Sequence, residues 1–191
     1  MQDPATNPVY TMPFTSKQAV KDAITTEVGQ VTALRLQVLS KMTEYVMAPT
    51  GDPNIASQYD LLNQTLEVSR KATVKGVLNA VADNLLAIGY RLSPTTILSD
   101  LPPCTLYDVT GLPHKEHVDN ALDWQCTELI NTTTQLIDTL ELIETTTSVD
   151  PRVNMVFNEL NLTDEDQRRA ELKKLLAVYA DNIRTITIKW T

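Results

Sequence analysis

This chain is poor in the residues that most folds need at their turns and reactive sites. Aromatic residues make up 5% of its 191 residues, with only 5 glycines, 2 cysteines and 2 histidines. Few glycines and few rings argue against a β-sandwich or an α/β enzyme, whose tight turns and Gly-rich loops draw on both. Cys104 and Cys126 are too few for a disulfide scaffold and read as a buried, reduced pair. No apolar run approaches the ~20 residues a membrane-spanning helix needs, and the N-terminus carries no apolar signal-peptide core. A soluble protein without a membrane partner is the expectation. Basic residues are also outnumbered, 16 Lys and Arg against 24 Asp and Glu, for a net charge of −8 and a pI near 4.7. Such a surface does not suit a protein that coats nucleic acid or anionic lipid, where affinity comes from cations set against phosphate. A local basic patch stays compatible with it.

What is present is a helical pattern. Hydrophobic residues reach 42% and charged ones 21%, the balance of a folded chain with a real core. Residues 1–14 hold Pro4, Pro8 and Pro13 among polar residues, which favours an extended arm. Its Tyr10, Met12 and Phe14 are candidate partner-binding residues, able to lie in a groove of a neighbouring subunit. A first helix is expected over about 16–47, opened by a capping box of Thr15 and Gln18 and striped by Val20, Ile24, Val31, Val38 and Met42. A second runs over about 53–89 from an Asp52-Pro53 start signal, with Gly89 as its C-cap. At 1.5 Å per residue it would be about 50 Å long. Ser69, Thr73 and Gly76 soften the middle of its stripe. The short link over 49–53 makes these two helices an antiparallel hairpin.

Residues 91–113 form an irregular crossover that holds Ser93-Pro94, Pro102-Pro103 and Pro113, with room for a short strand over 105–109. A third helix is expected over about 114–147, a short one over 151–160 from Asp150-Pro151, and a last one over 164–186 capped by Thr163. Residues 185–190 alternate like a strand as well as they continue a helix. The fold class is therefore all-α: an elongated four-helix bundle of two antiparallel hairpins, one domain over 15–191 behind the arm. A shift of 98 residues places Val20 on Val118, Ile24 on Leu122, Asp52-Pro53 on Asp150-Pro151 and Tyr59 on Phe157. Because 98 is a multiple of seven, heptad register accounts for the helical matches, and only the Asp-Pro and Tyr/Phe pairs exceed it.

Reactive constellations are scarce. His114 and His117 share a helix face near Glu116, Asp119 and Asp123, but two imidazoles without a further pair do not make a metal site. Glu141 and Glu144 have the Glu-x-x-Glu spacing with which some all-helical nucleotide pyrophosphohydrolases hold magnesium. The facing acidic pair is missing, since Glu171 is followed by Lys174. A phosphate-cradling Gly-rich loop, a nucleophile elbow and a Cys-x-x-Cys are absent from the sequence. The densest cationic set, Arg168, Arg169, Lys173 and Lys174, is the candidate nucleic-acid contact, with Arg70, Lys71 and Lys75 as a smaller second set.

Long helices, an apolar-bearing arm and no catalytic constellation imply a non-enzymatic structural or assembly protein that needs no cofactor or metal. Its expected partners are itself, as a homo-oligomer, and other protein subunits. Virion or phage components of the connector, neck or scaffold kind have this size and make-up, so the expected location is intracellular or within a virion. The alternative is an oligomeric DNA-binding assembly factor of the small-terminase kind, using the cationic set of the last helix. A third reading is a metal-dependent helical hydrolase using Glu141 and Glu144.

Overall fold

A computed structural model describes residues 3–4, 10, 14–36, 53–64, 67–98, 101–107, 112, 114–138, 148–159 and 164–190. The described chain is all-α, with helices α1 Lys17–Leu34, α2 Pro53–Gln64, α3 Glu67–Leu92, α4 Lys115–Asp138, α5 Pro151–Glu159 and α6 Glu165–Lys189. A lone parallel bridge joins Leu112 to Trp190. Residues 105–107 carry no strand, and the remainder of the short strand expected there lies outside the described residues. So do Met12 and the expected helical stretches 37–47 and 139–147.

Local chemistry explains the helix ends. Ser16 caps α1, its Oγ accepting from Ala19 N at 3.1 Å. The Thr15–Gln18 box does not form, because Gln18 donates to Asp22 one turn on at 2.7 Å. Asp164 caps α6, its carboxylate accepting from Asp166 N and Gln167 N at 2.9 and 3.3 Å and setting negative charge on the positive helix end. Asp150 opens α5 by accepting from Arg152 N at 2.9 Å. The alternating tail is helix: Trp190 N still donates to Ile186 O at 3.0 Å, and Ile183, Ile186 and Thr187 are buried at helical spacing.

Two expectations change in the middle of the chain. The stretch over 53–89 is not one helix, for α2 folds back onto α3. Gln58 lies against Gly76, where an added Cβ would come within 2.7 Å of Gln58 Oε1. On one continuous helix those two positions would stand about 27 Å apart. Gly76, a soft spot in the stripe, is where α2 closes on α3. Gly89 is not a C-cap, since α3 runs on to Leu92. It admits α6 instead: a Cβ there would meet Lys173 Cγ at 3.1 Å and Lys173 Cα at 3.4 Å.

Among the described residues the most extensive helix contact is α3 on α6, and α2 also packs on α3, α4 on α6, α1 on α4, α1 on α3 and α5 on α6. Side-chain pairs show that α1 on α3, α1 on α4, α4 on α6 and α3 on α6 are antiparallel. Arg91, late in α3, bonds the Tyr10 carbonyl ahead of α1, while Asn84 reaches Glu27 in mid-helix. Arg35, just past α1, pairs with Asp119 and Asp123 early in α4, at 2.8 and 2.6 Å. Gln125 and Thr132 of α4 meet Asn182 and Tyr179 of α6. Lys173 and Arg184 of α6 meet Gly89 and Asp83 of α3.

The second half repeats the first. Helices α1 and α4, α2 and α5, and α3 and α6 each begin 98 residues apart, at Lys17/Lys115, Pro53/Pro151 and Glu67/Glu165. That shift carries the set of packed helix pairs onto itself, α1 on α3 matching α4 on α6 and α2 on α3 matching α5 on α6. Buried side chains correspond, among them Ile55 with Val153, Ala82 with Ala180, Leu85 with Ile183 and Ile88 with Ile186. Buried hydrogen bonds correspond as well. Asn84 Nδ2 donates to Glu27 Oε2 at 3.1 Å, and Asn182 Nδ2 donates to Gln125 Oε1 at 2.9 Å. Heptad register repeats apolar positions but gives no reason to repeat a buried polar pair. The match at 98 residues is a repeated structural unit in twofold arrangement, where periodicity alone had been a sufficient account.

Candidate functional site

The polar residues of the interior hold helices to one another. Glu27 is fully buried, accepts from Tyr10 Oη at 2.6 Å and from Asn84, and so joins the arm, α1 and α3. Its counterpart Gln125 donates to Tyr107 Oη at 3.0 Å and accepts from Asn182. Asn182 also donates to Asp150 at 2.9 Å, and Arg152, 4% exposed, reaches Asp150, Asp181, Asn182 and the Pro102 carbonyl. Burial works against the Arg152 charge, but the bonds to Asp150 and Asp181 outweigh it and hold the guanidinium above its ordinary pKa. None of Glu27, Asn84, Gln125, Asn182 or Arg152 stood out in the sequence as a candidate site residue. The signal was there: Asp83-Asn84 recurs as Asp181-Asn182, and Lys75 recurs as Lys173, at the same shift.

The buried tyrosines and cysteines of this interior move away from neutral pH. Burial pushes Tyr107 up to about 12 against a hydrogen bond from Gln125, and pushes Tyr179 higher still. Cys104 and Cys126 are free and buried, and burial pushes Cys126 up to about 12 and Cys104 in the same direction. Thiols so placed are poor nucleophiles. Glu128 is raised by burial and partly held back by the Ser148 hydroxyl.

The residues singled out from the sequence are scattered. Tyr10 and Phe14 lie on their own chain, with ring centroids 6.2 Å apart, and Phe14 packs against the core. Lys173 is buried; its Nζ donates to the carbonyls of Ser93 and Thr96 at 2.7 and 2.8 Å. Lys174 pairs with Glu159 and Glu171, both at 3.0 Å. Arg169 pairs with Glu165 one turn back at 3.0 Å. Lys71 and Lys75 sit by Trp190 at the far end of the α3–α6 pair from Arg168 and Arg169, and the side chain of Arg70 lies outside the described residues. His114 and His117 are exposed with ring centroids 5.2 Å apart, while Asp119 and Asp123 are engaged by Arg35. Among the described residues no group of three His, Cys, Asp or Glu could hold a metal ion. Glu141 and Glu144 lie outside the described residues.

A concave site lies where α1 and α6 begin and α3 ends. A cavity of about 280 Å³ has walls of Phe14, Val20, Leu92 and Leu172. Its rim carries Lys17, Arg168, Arg169 and Glu165. Glu165 is held below the usual carboxylate range first by its bond to Arg169, with smaller help from Lys17 and Arg168. Arg168 Nε is buried without a hydrogen-bond partner. The sequence pointed to Phe14, Arg168 and Arg169 separately, as arm and cationic patch; the fold brings them to one cavity. The chain matches no protein-family model, no curated protein and no solved structure, so this site is read from its own residues.

Proposed function

We propose that α1, α3, α4 and α6 form an antiparallel four-helix bundle, and that the protein is a non-enzymatic structural or assembly component. It acts through helix faces and the segment that carries Tyr10 and Phe14. The observation that supports this reading is the direction of the buried polar groups. Glu27, Asn84, Gln125, Asn182 and Arg152 bond across helices to one another and fix the helix faces, an arrangement suited to a rigid part. Self-association is part of the proposal. Leu36 and Ile188, 55% and 73% exposed, follow or end the two helices that flank the start of α4, and supply apolar contact there. The seat of Tyr10 on α1 and α3 can equally receive the same segment from a second copy, as in segment exchange.

Absolute mass by light scattering, measured across protein concentration, tests the reading. The expected result is a closed oligomer that dissociates in Leu36→Asp or Ile188→Asp while far-UV circular dichroism is unchanged. A monomer at every concentration overturns self-association. The nucleic-acid alternative draws little support, because Lys173 and Lys174 are held within the chain.

A further inference from the structure

We infer that the cavity beside Phe14 and Leu92 is a binding site for a small planar aromatic acid. The template for its occupant is inside the molecule. The shift of 98 residues carries Phe14 onto Leu112, Leu92 onto Trp190 and Arg169 back onto Lys71. In the second half Trp190 stands at that place. The Trp190 indole lies with Lys71 Nζ 5.1 Å from its ring centroid, a cation–π contact. Leu112 is bridged to Trp190 and donates from its N to Lys189 O at 3.1 Å. Lys75 Nζ holds the Trp190 carbonyl at 2.7 Å. In the first half Lys173 holds the end of α3 in the same way, on Ser93 and Thr96. Two positions differ in opposite senses: Leu92 stands where the second half has Trp190, and Phe14 stands where it has Leu112, and the cavity lies beside both.

Size, walls and charge describe the occupant. An apolar cavity of ~150 Å³ admits benzene, so about 280 Å³ has room for fused rings and a carboxylate. Phe14, Val20, Leu92 and Leu172 offer flat apolar contact to the ring. Three cations line the cavity against one acid, and Arg169 already answers Glu165. Arg168 lines the cavity and pairs with no carboxylate among the described residues, so its guanidinium is the donor suited to an incoming carboxylate. Ser16 and Asp164 have already taken backbone donors at the starts of α1 and α6, so the guanidinium is the main anion contact. This site does not depend on the assembly reading, since every residue in it belongs to one chain.

Calorimetric titration of the full chain with indole-3-acetate, and with indole for comparison, tests the inference. Indole-3-acetate should saturate one site, and indole should bind more weakly. Leu92→Trp copies Trp190 into the first half; it should raise Tm and abolish binding of both probes. Arg168→Gln should weaken indole-3-acetate by about tenfold and leave indole unchanged. Absence of saturable binding, or equal binding by the parent and Leu92→Trp, overturns the inference. Should Leu92→Trp not fold, the Arg168→Gln comparison decides alone: the same change for both probes sinks the proposal.

Discussion

Glu27 and Gln125 occupy equivalent places, an acid in one half and an amide in the other, and each joins a tyrosine to an asparagine. An amide at position 27 can accept from Asn84 and donate to Tyr10, as Gln125 does with its own partners. Glu27→Gln should therefore change the unfolding free energy by less than about 1 kcal/mol, whereas Glu27→Ala should cost about 3 kcal/mol through two lost partners and a cavity. Urea unfolding of the two variants checks both, and equal losses would deny the equivalence. A second effect at this scale concerns alkaline pH. Burial raises Cys126 from 9.0 to about 12 and Tyr107 from 10.0 to about 12. In those windows the unfolded chain has released the proton and the native chain has not, so stability is full below them and falls as pH rises through them. Urea midpoints should decline steadily above pH 9, and Cys126→Ala should flatten the first part of that decline. A midpoint independent of pH there would show that these groups ionise alike in both states.

Among the elements, glycines separate what the sequence could show from what it could not. Gly76→Ala and Gly89→Ala make the same change in one helix, and each should gain up to about 1 kcal/mol in helix propensity. At Gly76 the new methyl meets the far end of Gln58, which can swing aside, so the gain should survive. At Gly89 it meets Lys173, whose Nζ is fixed on two carbonyls and whose Cα is 3.4 Å away, so α6 must yield and Tm should drop. Thermal unfolding distinguishes them by sign. The helices and the Asp150-Pro151 start were legible because apolar period and capping residues act over a few positions. The reversal between α2 and α3 was not legible, because the apolar stripe continues through it and periodicity marks faces without saying what covers them. Gly89 misled for the same reason. Close approach to Lys173 and a helix C-cap both call for a residue without Cβ, and only the neighbour tells them apart.

For the whole molecule, the twofold repeat sets the order in which parts should open. The signs of it were in the chain, since Lys75, Asp83 and Asn84 recur as Lys173, Asp181 and Asn182. The cavity was not, because its lining gathers departures from the repeat, Leu92 against Trp190, Phe14 against Leu112 and Arg169 against Lys71, which are visible only once the halves are superposed. The α3–α6 contact lies across the repeat and is the most extensive in the fold, with Val77, Leu78, Leu85, Leu175, Leu176 and Ile183 fully or almost fully buried. Helices α2 and α5 each pack on one helix alone among the described contacts. Opening free energies follow buried apolar contact. Amide hydrogen exchange should therefore be slowest over 78–88 and 176–186, with closely matched rates in the two stretches, and faster throughout α2 and α5. Matched rates mean that α3 and α6 open together in one global event. Slow exchange confined to one of them would show that each half unfolds separately and that the contact between them is secondary.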